Sequence, residues 1–175
     1  MRGLIGALFV GHGTQKLFGW FGGPGLQGIS GMMESLELRP PRRHAVAAGI
    51  SETAGGALLL LGALTPLATS ALTAAMATAI RKVHADKGPW VSGGGYEYNA
   101  VLIAALAALA DHGPGRPSVD AARFPRLHGP FWALASLGAG IAGSYLATSP
   151  PVNEPPAGEP TGRFTREQQA AQAPG

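Results

Sequence analysis

The chain has 175 residues, of which 13 are basic and 10 acidic, so charged residues make up 13% of it, about half the usual share in a soluble domain. Hydrophobic residues make up 46%, and the mean hydropathy is +0.15. A soluble globular enzyme needs a more highly charged surface, so the composition favours an integral membrane protein. The basic residues are scattered in ones and twos, which disfavours a nucleic-acid partner, and the absence of Cys excludes disulfides and thiol chemistry.

Several apolar stretches are candidates for membrane-spanning helices, each of which needs about 20 mostly apolar residues. They cover about 3–21, 45–64, 66–83, 97–111 and 130–147. The short Thr65-Pro66 link predicts that the second and third spans form an antiparallel hairpin, since Pro suits the first turn of a new helix. The predicted fold class is therefore an all-α integral membrane protein, a four-helix transmembrane bundle with a fifth, C-terminal transmembrane helix.

The segments between and after these spans complete the predicted organisation. Residues 1–118 form the four-helix core, residues 119–148 add a connecting loop and the extra helix, and residues 149–175 are a Pro-rich tail expected to be disordered. The connection 19–43 is Gly-rich, and its stretch 23–28 matches the pattern GxGxxG. A dinucleotide site requires a preceding strand, whereas a membrane helix precedes this stretch. A re-entrant or interfacial loop is the preferred interpretation.

Ionisable and polar side chains in or beside the apolar spans are the candidate functional residues, because such groups are costly in hydrocarbon and usually mark sites or pathways. The candidates for ligand binding or proton exchange are His12, Gln15, Lys16, Glu52, Arg81, His84, Tyr96, Glu97 and Asn99. Glu52 lies in the middle of its span, so we expect it to pair with a basic residue of the first or third helix. The alternative is a purely structural network, with Lys16, Arg81 and Glu97 reaching the membrane surface. The spacings specify no metal site and no catalytic residue.

Small residues in two spans predict close helix packing, since helices in lipid approach one another through Gly, Ala and Ser. In the second span, Gly55 and Gly56 are expected to lie against a neighbouring helix. Gly138, Gly140 and Gly143 can serve the same purpose in the last span, within one protomer or between two.

Three stretches resemble the DoxX family. The stretch His12–Gly25 is similar to the first-helix signature of that family, and Glu52 with Gly55-Gly56 resembles its second helix. His84 and the segments Gly88-Pro89-Trp90 and Gly94–Asn99 resemble its connection between the third and fourth helices. The resemblance covers roughly residues 1–118. It implies a small multi-pass protein of the bacterial inner membrane, related to the DoxD subunit of thiosulfate:quinone oxidoreductase.

From this resemblance and the polar residues, the leading functional hypothesis is a membrane component of a redox assembly that binds a quinone-like or other small apolar ligand. Lys16 or His84 would hydrogen-bond the ligand, and Glu52 or Glu97 would exchange a proton. The expected partners are the lipid bilayer, other redox proteins at the membrane and a second copy of the chain. The alternatives are a non-enzymatic scaffold and a small transporter. The positive-inside rule favours a cytoplasmic location for the connections 19–43 and 84–97 and for the tail 149–175.

Overall fold

The computed structural model describes residues 1–149, and this part of the chain is all-helical, with no strand. The helices are α1 (Arg2–Phe18), α2 (Gly25–Ser35), α3 (Pro41–Leu61), α4 (Thr65–Ala79), α5 (Glu97–His112), α6 (Val119–Arg123) and α7 (Pro130–Thr148). A π-helical turn, Ile80–His84, continues α4. The all-α prediction is confirmed, whereas the predicted disorder of the Pro-rich tail falls on residues 150–175, outside the described residues.

The helix ends follow local rules of capping. α3 begins with Pro41 in its first turn, where a missing N–H costs nothing, four residues before the predicted start. It ends at Gly62, whose left-handed backbone (φ 60°) terminates the helix. The hairpin turn is therefore 62–64, and Thr65-Pro66 form the first turn of α4 rather than the link. Gly55 facing Leu72 shows that α3 and α4 are antiparallel neighbours, as predicted.

α2 was not predicted, because the connection 19–43 was interpreted as a loop. Three glycines, at 25, 28 and 31, weaken the helical signal. Ile29 and Met33 are nevertheless one helical turn apart, and both are buried with Leu38 and Ala45 in a small apolar cluster. Packing of this face against α3 therefore stabilises α2.

The main apolar core lies between α1, α3, α4 and α5. Its buried members are Ile5, Phe9, Leu59, Ala68, Leu72, Met76, Leu106 and Leu109. α7 packs on α4 and α5 outside this core. The residues of α7 that are buried are small, Ser136, Gly140 and Ser144.

The bundle has two ends, at which the helices begin or finish. At the first, which we call the Lys16 end, α1, α4 and α7 finish and α3 and α5 begin. At the second, the Arg2 end, the Arg2 Nη2 donates to Pro117 O (2.7 Å). Leu64 N donates to Asp120 Oδ1 (2.8 Å) there. The loop 113–129 thus closes the Arg2 end.

Two helices, Pro41–Leu61 and Pro130–Thr148, are long and apolar enough to cross a membrane by length and composition. That α1, α4 and α5 also cross it stays a prediction. In a helix of a soluble protein, the apolar face is usually buried and the polar face exposed. In α7 the small polar residues are buried, while Leu134 and Leu146 are more than two thirds exposed. This arrangement is typical of a helix whose outer face contacts lipid.

Candidate functional site

The central feature of the site is an ion pair between Lys16 Nζ of α1 and Glu52 Oε2 of α3. The side chain of Glu52 is 4% exposed, whereas that of Lys16 is 24% exposed. The predicted pairing of Glu52 with a basic residue of the first or third helix is therefore confirmed. Its role in ligand binding stays a prediction.

A close approach of α1 and α3 makes this pair possible. A Cβ atom on Gly13 would lie 2.5 Å from Thr53 N and 2.8 Å from Gly49 O, so no larger residue fits there without a shift of the helices. Gly13 precedes Lys16 by three residues, almost one helical turn. The glycine contact thus brings Lys16 within reach of Glu52.

A partly open cavity of about 160 Å³ adjoins this ion pair, and we call it the Lys16 cavity. It lies between α3 and α4 at the Lys16 end, bounded by α2 and by the last residues of α7. Met33, Leu36 and Leu38 form the wall on the α2 side. Since a cavity of roughly 150 Å³ holds one benzene ring, the Lys16 cavity has room for a single ring.

Seven of the residues that line the Lys16 cavity are polar, and three of those seven are basic. Besides the ion pair, His44, Ser51, Thr78, Lys82 and Thr148 line it. Because Lys16 and Glu52 offset one another in charge, the Lys82 ammonium is the remaining full charge of the lining. The cavity thus combines apolar walls with a few hydrogen-bond donors, the usual composition of a small-molecule site.

His12 and Gln15 lie on α1 but do not line the Lys16 cavity. The His12 Nδ1 lies 3.1 Å from Gln15 Oε1, and Gln15 Nε2 is 3.5 Å from Phe21 O. The imidazole is exposed on the outside of the bundle. These two residues brace the end of α1 against the turn that follows it.

Arg81 contacts α7 rather than Glu52. Its Nη1 donates to Ser144 Oγ at 2.8 Å, and the guanidinium lies over the ring of Tyr145, with Cζ 3.5 Å from the ring centroid. Thr78 Oγ1 also donates to Ser144 Oγ, at 3.0 Å. Arg81 is therefore part of a polar contact between α4 and α7.

The remaining candidates organise the connection between α4 and α5. The His84 Nδ1 lies 2.7 Å from Gly94 O, and Glu97 Oε1 accepts from Val91 N at 2.7 Å. Asn99 is buried, with Nδ2 3.4 Å from Met76 Sδ, and Tyr96 is half-buried at the start of α5. The structure does not bring these residues to the Lys16 cavity.

Sequence reasoning missed His44 and Lys82 as cavity residues. His44, Ala48, Ser51 and Glu52 share one face of α3 at helical spacing, so the pattern could have shown His44 once α3 was extended to Pro41. Lys82 follows Thr78 by four residues, in the π-helical turn that continues α4, and was interpreted only as the end of a span. Within residues 1–149, no three His, Asp or Glu side chains cluster as a metal site would require.

Comparison with known proteins identifies one family. The DoxX family model matches residues 1–85, a range that includes Lys16, Glu52 and most of the Lys16 cavity. No curated protein and no solved structure matches the chain. The resemblance in the connection 88–99 lies beyond the matched range.

Proposed function

Residues 1–85 match the DoxX family model, which suggests a membrane protein. From this match we propose that the Lys16 cavity binds a single-ring, quinone-like ligand within a redox assembly. The observation that carries the proposal is the position of an apolar, ring-sized cavity directly beside a buried ion pair. The cavity is partly open, so an apolar tail on the ligand could extend from it into the bilayer.

The residues of the cavity fit such a ligand. Lys16 is the less buried member of the ion pair, so its ammonium can donate a further hydrogen bond to a ligand oxygen. Glu52 holds that ammonium in place and is positioned to exchange a proton with it. A quinone would supply the acceptor for two electrons and two protons, and the apolar walls would exclude water from its ring. His84 and Glu97 have no part in this version, because both are engaged elsewhere.

The proposed location is the bacterial inner membrane, with several helices crossing it. Basic residues are concentrated at the Lys16 end. They lie just before α3, in its first turn and in the segment between α4 and α5: Arg39, Arg42, Arg43, Lys82 and Lys87. The positive-inside rule supports placing this end, and the opening of the Lys16 cavity, on the cytoplasmic side.

The test uses the full-length protein purified in a mild detergent, with bound quinone measured by extraction and binding of a short-chain quinone measured by thermal shift. Ala48→Leu fills the Lys16 cavity, and Ala54→Leu is the matched control on the exposed face of the same helix. We expect quinone binding by the unaltered protein and the control but not by Ala48→Leu. Absence of binding, or equal binding by both variants, would contradict the proposal.

A further inference from the structure

A second candidate site lies at the Arg2 end, far from the Lys16 cavity along the helices. It is an open groove between the start of α1, the end of α3 and α6. Its lining combines two guanidinium groups with apolar side chains: Arg2, Arg123, Leu60, Leu61, Val119 and Phe124. We call it the Arg2 groove.

One nitrogen of the Arg2 guanidinium has a hydrogen-bond acceptor, and another has none. Its Nη2 donates to Pro117 O at 2.7 Å, which fixes the guanidinium at the groove. Its Nη1 is buried and has no hydrogen-bond partner. Within residues 1–149, neither Arg2 nor Arg123 forms an ion pair with a carboxylate. The buried Nη1 lies beside Gly62, so an anion in the groove would meet the positive charge of the two guanidinium groups that line it rather than this donor.

The carboxylate nearest in sequence is not free to pair with that charge. Asp120 lies on α6 three residues before Arg123, but both of its oxygens are used by the start of α4. It is buried, with 3% of the residue exposed. The positive charge of the Arg2 groove is therefore left for an external ligand.

The apolar walls decide which class of anion fits. Leu60 and Leu61 end the apolar α3, and Leu61 and Phe124 are both about half exposed or more. A free inorganic anion would leave these side chains uncovered, whereas a phospholipid would place its phosphate at the arginines and an acyl chain along the leucines. Arginine pairs with phosphate through two parallel hydrogen bonds. We infer that the Arg2 groove binds an anionic phospholipid.

The inference is independent of the proposed quinone site. It requires only that the protein lies in a membrane, and it concerns a different end of the bundle. An anionic lipid is favoured over a zwitterionic one because the groove contains two cations and no free carboxylate within the described residues. Each arginine near a lipid surface typically strengthens binding about fivefold.

The experiment titrates the full-length protein in detergent with short-chain phosphatidylglycerol, short-chain phosphatidylcholine and inorganic phosphate, and counts bound molecules by native mass spectrometry. Arg123→Gln and Arg2→Gln test the groove. Arg126→Gln is the control, since Arg126 is an exposed arginine of the same loop that does not line it. Thermal unfolding of each variant without added lipid shows whether Arg2→Gln still folds.

We expect phosphatidylglycerol to bind more tightly than phosphatidylcholine, Arg123→Gln to weaken that binding about fivefold, and Arg126→Gln to leave it unchanged. Equal binding of the two lipids would overturn the inference. So would an equal loss in Arg123→Gln and Arg126→Gln, because that result indicates a general surface attraction. Full displacement of the lipid by inorganic phosphate would reassign the groove to a free anion.

Discussion

Lys16 and Glu52 form an ion pair whose two members are unequally exposed, the lysine at 24% and the glutamate at 4%. The carboxylate is thus the member that the bundle encloses, and the ammonium is the member that a ligand can reach. Because desolvating an ion pair is costly, the pair is weak evidence for stability by itself. Removing only one of the two side chains is nevertheless destabilising, because the other charge is then left without a partner.

The first prediction concerns this asymmetry. Glu52→Gln is expected to lower the free energy of unfolding by about 3 kcal/mol, the low end for breaking a buried pair, because Lys16 keeps partial exposure. The measurement is thermal or denaturant unfolding in detergent. Glu34→Gln, on the exposed surface of α2, is the control and should change little.

The double variant Lys16→Met with Glu52→Gln distinguishes the loss of the ion pair from the cost of leaving the Lys16 ammonium unpaired. It should be more stable than Glu52→Gln alone, because the unpaired ammonium is gone. If Glu52→Gln is no less stable than Glu34→Gln, the ion pair does not hold α1 to α3.

The second prediction concerns glycine contacts. A Cβ on Gly56 would lie 2.7 Å from Gly6 O, a backbone atom, whereas one on Gly55 would lie 3.0 Å from the flexible Leu72 side chain. The predicted packing of both glycines against neighbouring helices is confirmed by these contacts. Gly56→Ala is therefore expected to destabilise the protein by about 1–3 kcal/mol, and Gly55→Ala by less.

Gly138→Ala is the matched control for these substitutions, because no atom lies within 4 Å of its Cβ position. It should be neutral or stabilising, since Ala is a better helix former than Gly by about 1 kcal/mol. Unfolding midpoints of the three variants give the order directly. An equal effect at Gly56 and Gly138 would refute the close contact of α1 and α3.

The ion pair and the glycine contacts could be predicted because both leave a local signature. A carboxylate within a long apolar stretch needs a partner, and Gly55-Gly56 within a helical stretch needs a neighbour. Lys82 and His44 could not be assigned to a site. His44 lay outside the predicted span 45–64, and basic residues at the end of a span, such as Lys82, usually reach the membrane surface. The cavity depends on how α2, α3, α4 and α7 meet, which no local pattern contains.

The contact between α4 and α7 also could not be predicted from the sequence. Ser136 Oγ donates to Pro66 O and Ser70 Oγ to Ser136 O, both at 3.0 Å. The two helices are separated by 50 residues in the chain. Hydroxyl groups in both helices could equally have bonded to their own backbone, so only the folded chain shows which of them meet.

The third prediction concerns Asp120. It accepts hydrogen bonds from Leu64 N and Thr65 N, both at 2.8 Å, and from Thr65 Oγ1 at 2.7 Å. A carboxylate at a helix start satisfies free N–H groups and complements the helix dipole. Asp120→Ala is therefore expected to cost about 2 kcal/mol, at the upper end for a cap, because the site is buried.

Unfolding measurements on Asp120→Ala and Asp111→Ala test this role. Asp111 is half-buried at the end of α5, where its contact is with the exposed His112. We expect a clear loss of stability for the first variant and little change for the second. Equal midpoints would show that the loop 113–129 is not fastened to α4 through Asp120.

The last prediction concerns Ser144, the buried hydroxyl at which α4 and α7 meet. Ser144 Oγ accepts from Arg81 Nη1 and from Thr78 Oγ1. Ser144→Ala removes both acceptor contacts and leaves the guanidinium with Tyr145 and Thr148, so a loss of about 1–3 kcal/mol is expected. Ser149→Ala, at an exposed serine whose Oγ donates to Tyr145 O, is the control. Proteolysis of the loop 113–129 and unfolding in detergent report whether α7 stays docked. Equal stability of the two serine variants would mean that small-residue packing at Gly140, not the hydroxyl network, holds α7 on α4.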